Sequence, residues 1–305
     1  MNAGWAPISE DRIMLADPTR AESPQHGILW REMGICAWQD WAELRRSRWA
    51  AFCVIVYLAL AAGFMLAATH ESSVFGFTGM GRVLFSFSHA LLLVLPLLAL
   101  SATAPALSQA RDNGSLELWF SQPLSRPGYF LGLTCSRWLV LALPLVVLQT
   151  GMALWGWLAF GDGTVWFFFV RSLAISLTLL WAFTGLGLWA AVRTHSQAQA
   201  LLWTLLLWAL GVALLDFALI GLLLAWRVPA VLVFFLAALN PVECARLALL
   251  SAADPSLATL GPVGFFLFTN LGAGALLALG LAWPLLAGSL AWRLAMDRFC
   301  NGDLV

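Results

Sequence analysis

No lysine occurs among the 305 residues of this chain; all 16 basic residues are arginine, set against 16 acidic ones. That absence excludes a P-loop, whose lysine reaches the terminal phosphates of a bound nucleotide, and it excludes a Schiff-base lysine. Charge of either sign is scarce, at 10% of residues, where a soluble domain carries about a quarter. The four histidines are scattered, and no serine or cysteine has a base nearby in sequence. Neither H-E-x-x-H nor a nucleophile elbow occurs, so no catalytic residue is assigned and no enzymatic activity is expected of this chain. Compact M-x-x-M, C-x-x-C and H-x-x-x-H spacings are also missing. Met65, His70, Met80, His89 and Cys244 are scattered donors that would have to assemble from distant segments, and no metal site or cofactor is assigned to the chain.

What is present is apolar: 61% of residues, with a mean hydropathy of +0.86. Several uncharged runs reach about 20 residues, enough to cross a bilayer as a helix. The chain therefore reads as an all-α, multi-pass membrane protein. Residues 1–26 are polar and lack the apolar core of a signal peptide, which reads as a mobile tail. Residues 27–48 read as an interfacial amphipathic helix, with Trp30, Met33, Ala37, Trp41 and Leu44 at helical spacing and Arg31, Glu32, Gln39, Glu43 and Arg46 on the other side. A six-helix transmembrane domain fills 49–305, with spans expected at about 49–68, 83–107, 138–160, 172–192, 198–225 and 264–292. A seven-span alternative would need a break near Asp216, and no turn signal marks one. Val228–Leu239 is too short to span; with residues 239–250 it reads as a re-entrant pair of half-helices on the outer side, tolerated only where protein or water surrounds it.

The arginines set the orientation. Arg12, Arg20, Arg31, Arg45, Arg46, Arg48, Arg111, Arg126, Arg137, Arg193, Arg293 and Arg298 fall on one side, and Arg82, Arg171, Arg227 and Arg246 on the other. Under the positive-inside rule both termini are cytoplasmic. The same distribution reads as a membrane-orientation signal and not as a nucleic-acid patch. Cys36 and Cys300 then lie inside, Cys53 and Cys135 in or near spans and Cys244 outside, so no disulfide within the chain is expected. Asp216, near the outer end of the fifth span, is expected to pair with Arg171 or Arg227, since an isolated charge at that depth is costly. Gln149 reads as a hydrogen bond between spans.

The longest hydrophilic stretch between spans is QARDNGSLELWFSQPLSRPGYF (109–130). Asp112-Asn113-Gly114 is turn chemistry, Ser115 is a candidate cap, and Leu116, Glu117, Leu118, Trp119 and Phe120 form a short helix that Pro123 and Pro127 end. Read from physics alone, this is equally an ordinary interfacial loop helix. The stretch resembles the cytoplasmic signature E-x-G-T-L-E-x-L-L-x-x-P-x-S-R of ABC-2-type transporter permeases, carried here by Asp112, Gly114, Ser115, Leu116, Glu117, Trp119, Phe120, Pro123, Ser125 and Arg126. The order of elements is similar over most of the chain. The resemblance implies an ABC-2-type permease fold in the bacterial inner membrane, a coupling helix at these residues, and a homodimer that binds, through residues 112–127 and the interfacial helix, two copies of a cytoplasmic ATPase that carries the ATP and magnesium.

A second run, Leu239-Asn240-Pro241-Val242-Glu243-Cys244-Ala245-Arg246-Leu247, resembles the N-P-V-[DE]-x-x-R-L segment of the permeases that serve nitrous oxide reductase maturation. That resemblance implies a periplasmic copper-handling partner, with Asn240, Pro241, Glu243 and Arg246 gating movement or docking the partner. The long tail, the 17 tryptophans and Ser115 in place of threonine depart from that branch. An exporter of a lipid, polysaccharide or peptide with the same architecture stays open, as does a membrane scaffold outside the ABC class.

Overall fold

The computed structural model describes residues 25–70, 79–161, 163–214, 238–253 and 272–302. Among them the chain is all-α, and six helices are long and apolar enough to cross a membrane. In chain order the elements are α1 (Gln25–Arg46), α2 (Arg48–His70), α3 (Gly79–Thr103), α4 (Ala106–Asp112), α5 (Ser115–Phe120), α6 (Arg126–Phe160), α7 (Thr164–Arg193), α8 (Gln197–Ala209, continued by a π-helical turn at Leu210–Leu214), α9 (Pro241–Ala253) and α10 (Gly272–Asn301). Most of the N-terminal tail, Asp216, Arg227 and residues 228–237 lie outside the described residues, so the ion pair expected at Asp216 and the first half-helix do too.

Local chemistry sets the helix boundaries. Ser47 separates α1 from α2 and its hydroxyl accepts the Ala50 N–H at 3.2 Å. Ser125 caps α6, accepting from Gly128 N at 3.2 Å, and Pro127 occupies the first turn of that helix. A proline there sacrifices no helix hydrogen bond, because the first N–H groups have no partner in any case. Pro127 thus opens α6 as well as closing the loop before it, and the helix starts at Arg126, well ahead of the apolar run that begins at Trp138.

The centre of the bundle is α7, packed against α10, α3 and α6. Lipid tails are as apolar as leucine, so association inside a membrane depends on close fit, and small residues supply it. A Cβ added at Gly288 of α10 would stand 2.6 Å from Ala182 Cα, and one at Gly185 of α7 would overlap the Gly288 carbonyl. Phe87, Leu91, Leu95, Leu145, Leu179 and Phe183 fill the surrounding core. Gln149 is fully buried and donates to Ser176 Oγ of α7 at 3.3 Å.

Outside this core, α1 follows the first turns of α6 in the same direction. Glu32 lies beside Gly128, Cys36 beside Gly132, and Asp40 beside Ser136 and Arg137. Its packed face is Met33, Cys36, Ala37, Asp40 and Leu44, whereas Trp30, which the spacing puts on the apolar stripe, is 67% exposed together with Trp38. The reason is size: the seam is narrow at Gly132, where a Cβ would come within 3.0 Å of Ala37 N, and small side chains fit it better than indoles.

Candidate functional site

One end of the bundle gathers α1, α4, α5, the start of α6, the α7–α8 turn and the end of α10. The sequence's signature segment folds here. After α4, Asn113 N donates to Gln109 O at 3.0 Å and Gly114 N to Arg111 O at 2.9 Å. Gly114 then adopts φ 66°, a left-handed conformation that is strained for any residue with a Cβ. Gly114, not Ser115, holds the cap position of α5. Ser115 is the first helical residue, and its hydroxyl turns back to donate to the Ala110 carbonyl at 3.0 Å.

α5 is rooted through one face. Leu116 is 4% exposed and joins a cluster with Leu107, Tyr129, Phe130, Leu133 and Phe299. Trp119 and Phe120 are half-buried against the Tyr129 ring, with centroids 6.4 and 5.7 Å away. The opposite face presents Glu117 and Leu118, the latter 67% exposed, while Asp112 and Pro123 flank it in solvent. Polar contacts fix the end of the segment. Ser125 donates from both N–H (3.2 Å) and hydroxyl to Glu32 of α1, and Arg126 Nη1 donates to the Cys300 and Gly302 carbonyls at 3.0 Å each.

Between α1 and α5 lies a cleft of about 410 Å³. Ile35, Gln39 and Glu43 form one wall, Leu118, Trp119 and Gln122 the other, and Asp40 with Arg137 lies toward its floor. The Asp40–Arg137 pair is close to bidentate, at 2.9 and 3.2 Å. Arg137 also donates to Ala102 O at 3.1 Å, so one guanidinium joins α1, α6 and the end of α3. Burial pushes the Cys36 thiol up from its ordinary value, and the Glu32 and Asp40 carboxylates add to the shift. The group stays neutral and serves as packing against Gly132. A cleft beside an exposed apolar-acidic helix is suited to seating a protein partner.

Asn240, Pro241, Glu243 and Arg246 form a second group, far from the first. α9 meets α10 at Gly280, where a Cβ would stand 2.6 Å from the Cys244 carbonyl. From there to Cys300, beside Arg126, is about 30 Å along α10 at 1.5 Å per residue. Asn240 is 2% exposed. Its Oδ1 accepts from Val242 N at 3.0 Å, while its Nδ2 donates to the Gly211 carbonyl in the π turn at 2.7 Å. Pro241 opens α9, and Glu243 pairs with Arg246 at 2.7 Å. Cys244 is buried and donates to Ala238 O. Arg171 stacks over the Phe167 ring at 3.8 Å.

Sequence reasoning did not single out Glu32, Asp40 or Arg111 as part of the site. Asp40 carried a signal: it falls in register with Ala37 and Leu44, a carboxylate inside an apolar stripe. Arg111 had none. Its Nη1 donates to Thr194 O at 3.0 Å, across 83 residues of chain.

Residues 35–298 match the family model described as ABC-2 family transporter protein. A relative, the probable ABC transporter permease protein NosY of Pseudomonas aeruginosa, is 27% identical over 225 residues, which cover 72% of this chain and 82% of that protein. With the family match spanning most of its length and six helices able to cross a bilayer, the chain belongs to the ABC-2 family of transporter proteins, as a multi-pass membrane permease.

Proposed function

We propose that this chain is the membrane subunit through which a separate cytoplasmic ATPase does work across the bacterial inner membrane. The ATPase, carrying ATP and magnesium, seats on α5 and the adjoining cleft, and two copies of the chain pair to engage an ATPase dimer. The observation that carries this reading is α5 itself. It exposes Glu117 and Leu118 side by side while Leu116 roots the helix in a buried cluster and its flanks are tied to neighbouring helices. An exposed leucine on a rigidly held helix is what a protein partner covers, and the arginine distribution puts that end in the cytoplasm. In the mechanism, closure of the ATPases on ATP displaces α5, and the spans shift between two packed arrangements.

The likeness to a NosY permease, with the Asn240–Arg246 motif, supports a place in copper-site maturation of nitrous oxide reductase. There α9 meets a periplasmic copper-handling protein and the permease transmits movement to it. Affinity purification in mild detergent, with mass spectrometry, distinguishes this from an exporter of a lipid, polysaccharide or peptide, since such an exporter would bring the ATPase and no outer partner.

The docking test is the pair Glu117→Arg with Leu118→Glu. Both side chains are exposed, so the exchange disturbs no packing within the fold. Its ATPase should no longer co-purify and its ATP turnover should fall to that of the ATPase alone. Unchanged co-purification and turnover would sink the docking role.

A further inference from the structure

The segment that carries α5 is covalently joined to α3 and α6, yet its two arginines grip other helices. Arg111, on α4 just before α5, donates to the carbonyl of Thr194, the C-cap residue of α7. Arg126, just after α5, donates to the Cys300 and Gly302 carbonyls at the end of α10. The last carbonyls of a helix have no partner within it, and the helix dipole makes that end negative. A guanidinium is the natural cap for it. Both arginines therefore perform the same task on two different helices, one on each side of α5.

The two gripped helices are also one mechanical unit. α7 and α10 meet at Gly185 and Gly288 with backbone against backbone, and Trp181 Nε1 of α7 donates to Ser289 Oγ of α10 at 3.1 Å. Thr194 is fully buried and Arg111 is half-buried. Arg111 holds the Thr194 carbonyl with its Nε enclosed, whereas Arg126 is exposed and makes its two contacts at the surface.

We infer that Arg111 and Arg126 are paired positioning residues that deliver a displacement of α5 to the α7–α10 pair. Neither acts on the ATPase directly. The load reaches the α7–α10 pair through two charged hydrogen-bond clasps, which act beside the packing of Leu116 and Phe120 against Phe299 of α10. The inference rests on the docking reading proposed above, and it assigns Arg126 a role inside the chain where the signature alone would place it at the partner interface.

The test uses spin labels at Leu143 of α6 and Leu294 of α10, both exposed, in the complex with its co-purifying ATPase. Cys135 and Cys300 are replaced beforehand; Cys36, Cys53 and Cys244 are buried. Trapping with ATP and vanadate should shift the Leu143–Leu294 distance in the parent complex. In Arg111→Ala with Arg126→Ala the ATPase should stay bound at parental amounts while the shift is lost. Arg111→Lys with Arg126→Lys, which keeps a charged donor at each carbonyl, should restore it. If the alanine variant does not fold, Arg111→Gln and Arg126→Gln singly should each weaken the shift. Parental shifts in the alanine or both glutamine variants would overturn the inference, as would a parent complex that binds ATPase and shows no shift. A parent that binds no ATPase would instead refute the docking reading and remove the basis of this one.

Discussion

The centre and the edge of this bundle are both apolar and differ in how they are held. In the spans Phe85–Asp112 and Val165–Arg193, 72% and 44% of the most apolar stretch is buried, against 17% in Arg48–Leu66 and 17% in Gln197–Leu214; Gly272–Asn301, at 22%, joins the centre through its contact with α7. At the centre, α7 and α10 touch through glycine and alanine, with no side chain between them at the tightest point. At the edge, polar clasps are added: Asp40–Arg137 and Glu32–Ser125 beside the close seam of α1 at Gly132, and, for α8, Trp208 to Leu93 O and Asn240 to Gly211 O. Close fit is cooperative and tolerates no added atom, whereas a clasp is local and can be opened without moving the rest. The comparison places rigidity at the centre and adjustable attachment around it.

The largest expected effect breaks the centre. Gly288→Leu must drive its side chain into Ala182 and Trp181 of α7, where even a Cβ would sit 2.6 Å from Ala182 Cα. Overpacking costs about 1–3 kcal/mol where side chains can yield, and here the obstacle is backbone, so the loss belongs at the upper end or beyond. The same change at Gly63 of α2, which is exposed and has nothing within 4 Å, should be near neutral. Melting temperature and the monodisperse fraction in mild detergent report the difference. Equal losses at the two sites would erase the distinction between centre and edge.

The contrast also explains which parts of the fold could be read from sequence. Apolar runs revealed six spans because length and lack of charge are one-dimensional properties. The face each span turns inward was not legible, since a leucine against lipid and a leucine against protein have the same composition. Gly185 and Gly288 lie in runs crowded with other small residues, and nothing local marks them as a contact. At the candidate site, the turn at Asp112–Gly114 and the short helix after it were legible from turn chemistry and the family signature. The tethers were not: Arg111 to Thr194 and Arg126 to Cys300 join residues that are remote in sequence, and an arginine at a span boundary has an ordinary reading as a membrane-orientation charge. Which residues of α1 meet α6 was not legible either: helical spacing groups apolar residues without regard to size, and the seam at Gly132 selects small ones.

A smaller effect sharpens the account of the edge. Asp40 and Arg137 retain 16% and 14% side-chain exposure, and removing one partner of a pair this enclosed leaves the other charge in a site built for two. Asp40→Ala should cost about 3 kcal/mol and loosen α1 from α6. Glu43→Ala, one turn on and exposed, should change little. Protease sensitivity of α1, with the melting temperature of the purified protein, separates the two. Equal behaviour would mean that α1 is held by Gly132 and its neighbours alone.

The smallest expected change concerns the tryptophans. Trp208 Nε1 donates to Leu93 O at 3.0 Å, three residues before Pro96 within α3. Pro96 lacks the N–H that would bond to Leu92 O, and its ring crowds that turn; Trp208 ties α8 to the next carbonyl, Leu93 O. Trp208→Phe keeps most of the ring and removes that donor; a lost hydrogen bond of this kind costs about 1 kcal/mol. Trp203→Phe, one turn away, loses edge-on packing against Trp189 and no indole hydrogen bond, and should cost less. If the order were reversed, α8 would be held mainly by ring packing against α7 and not by its clasp to α3, and the edge of the bundle would obey the same rule as its centre.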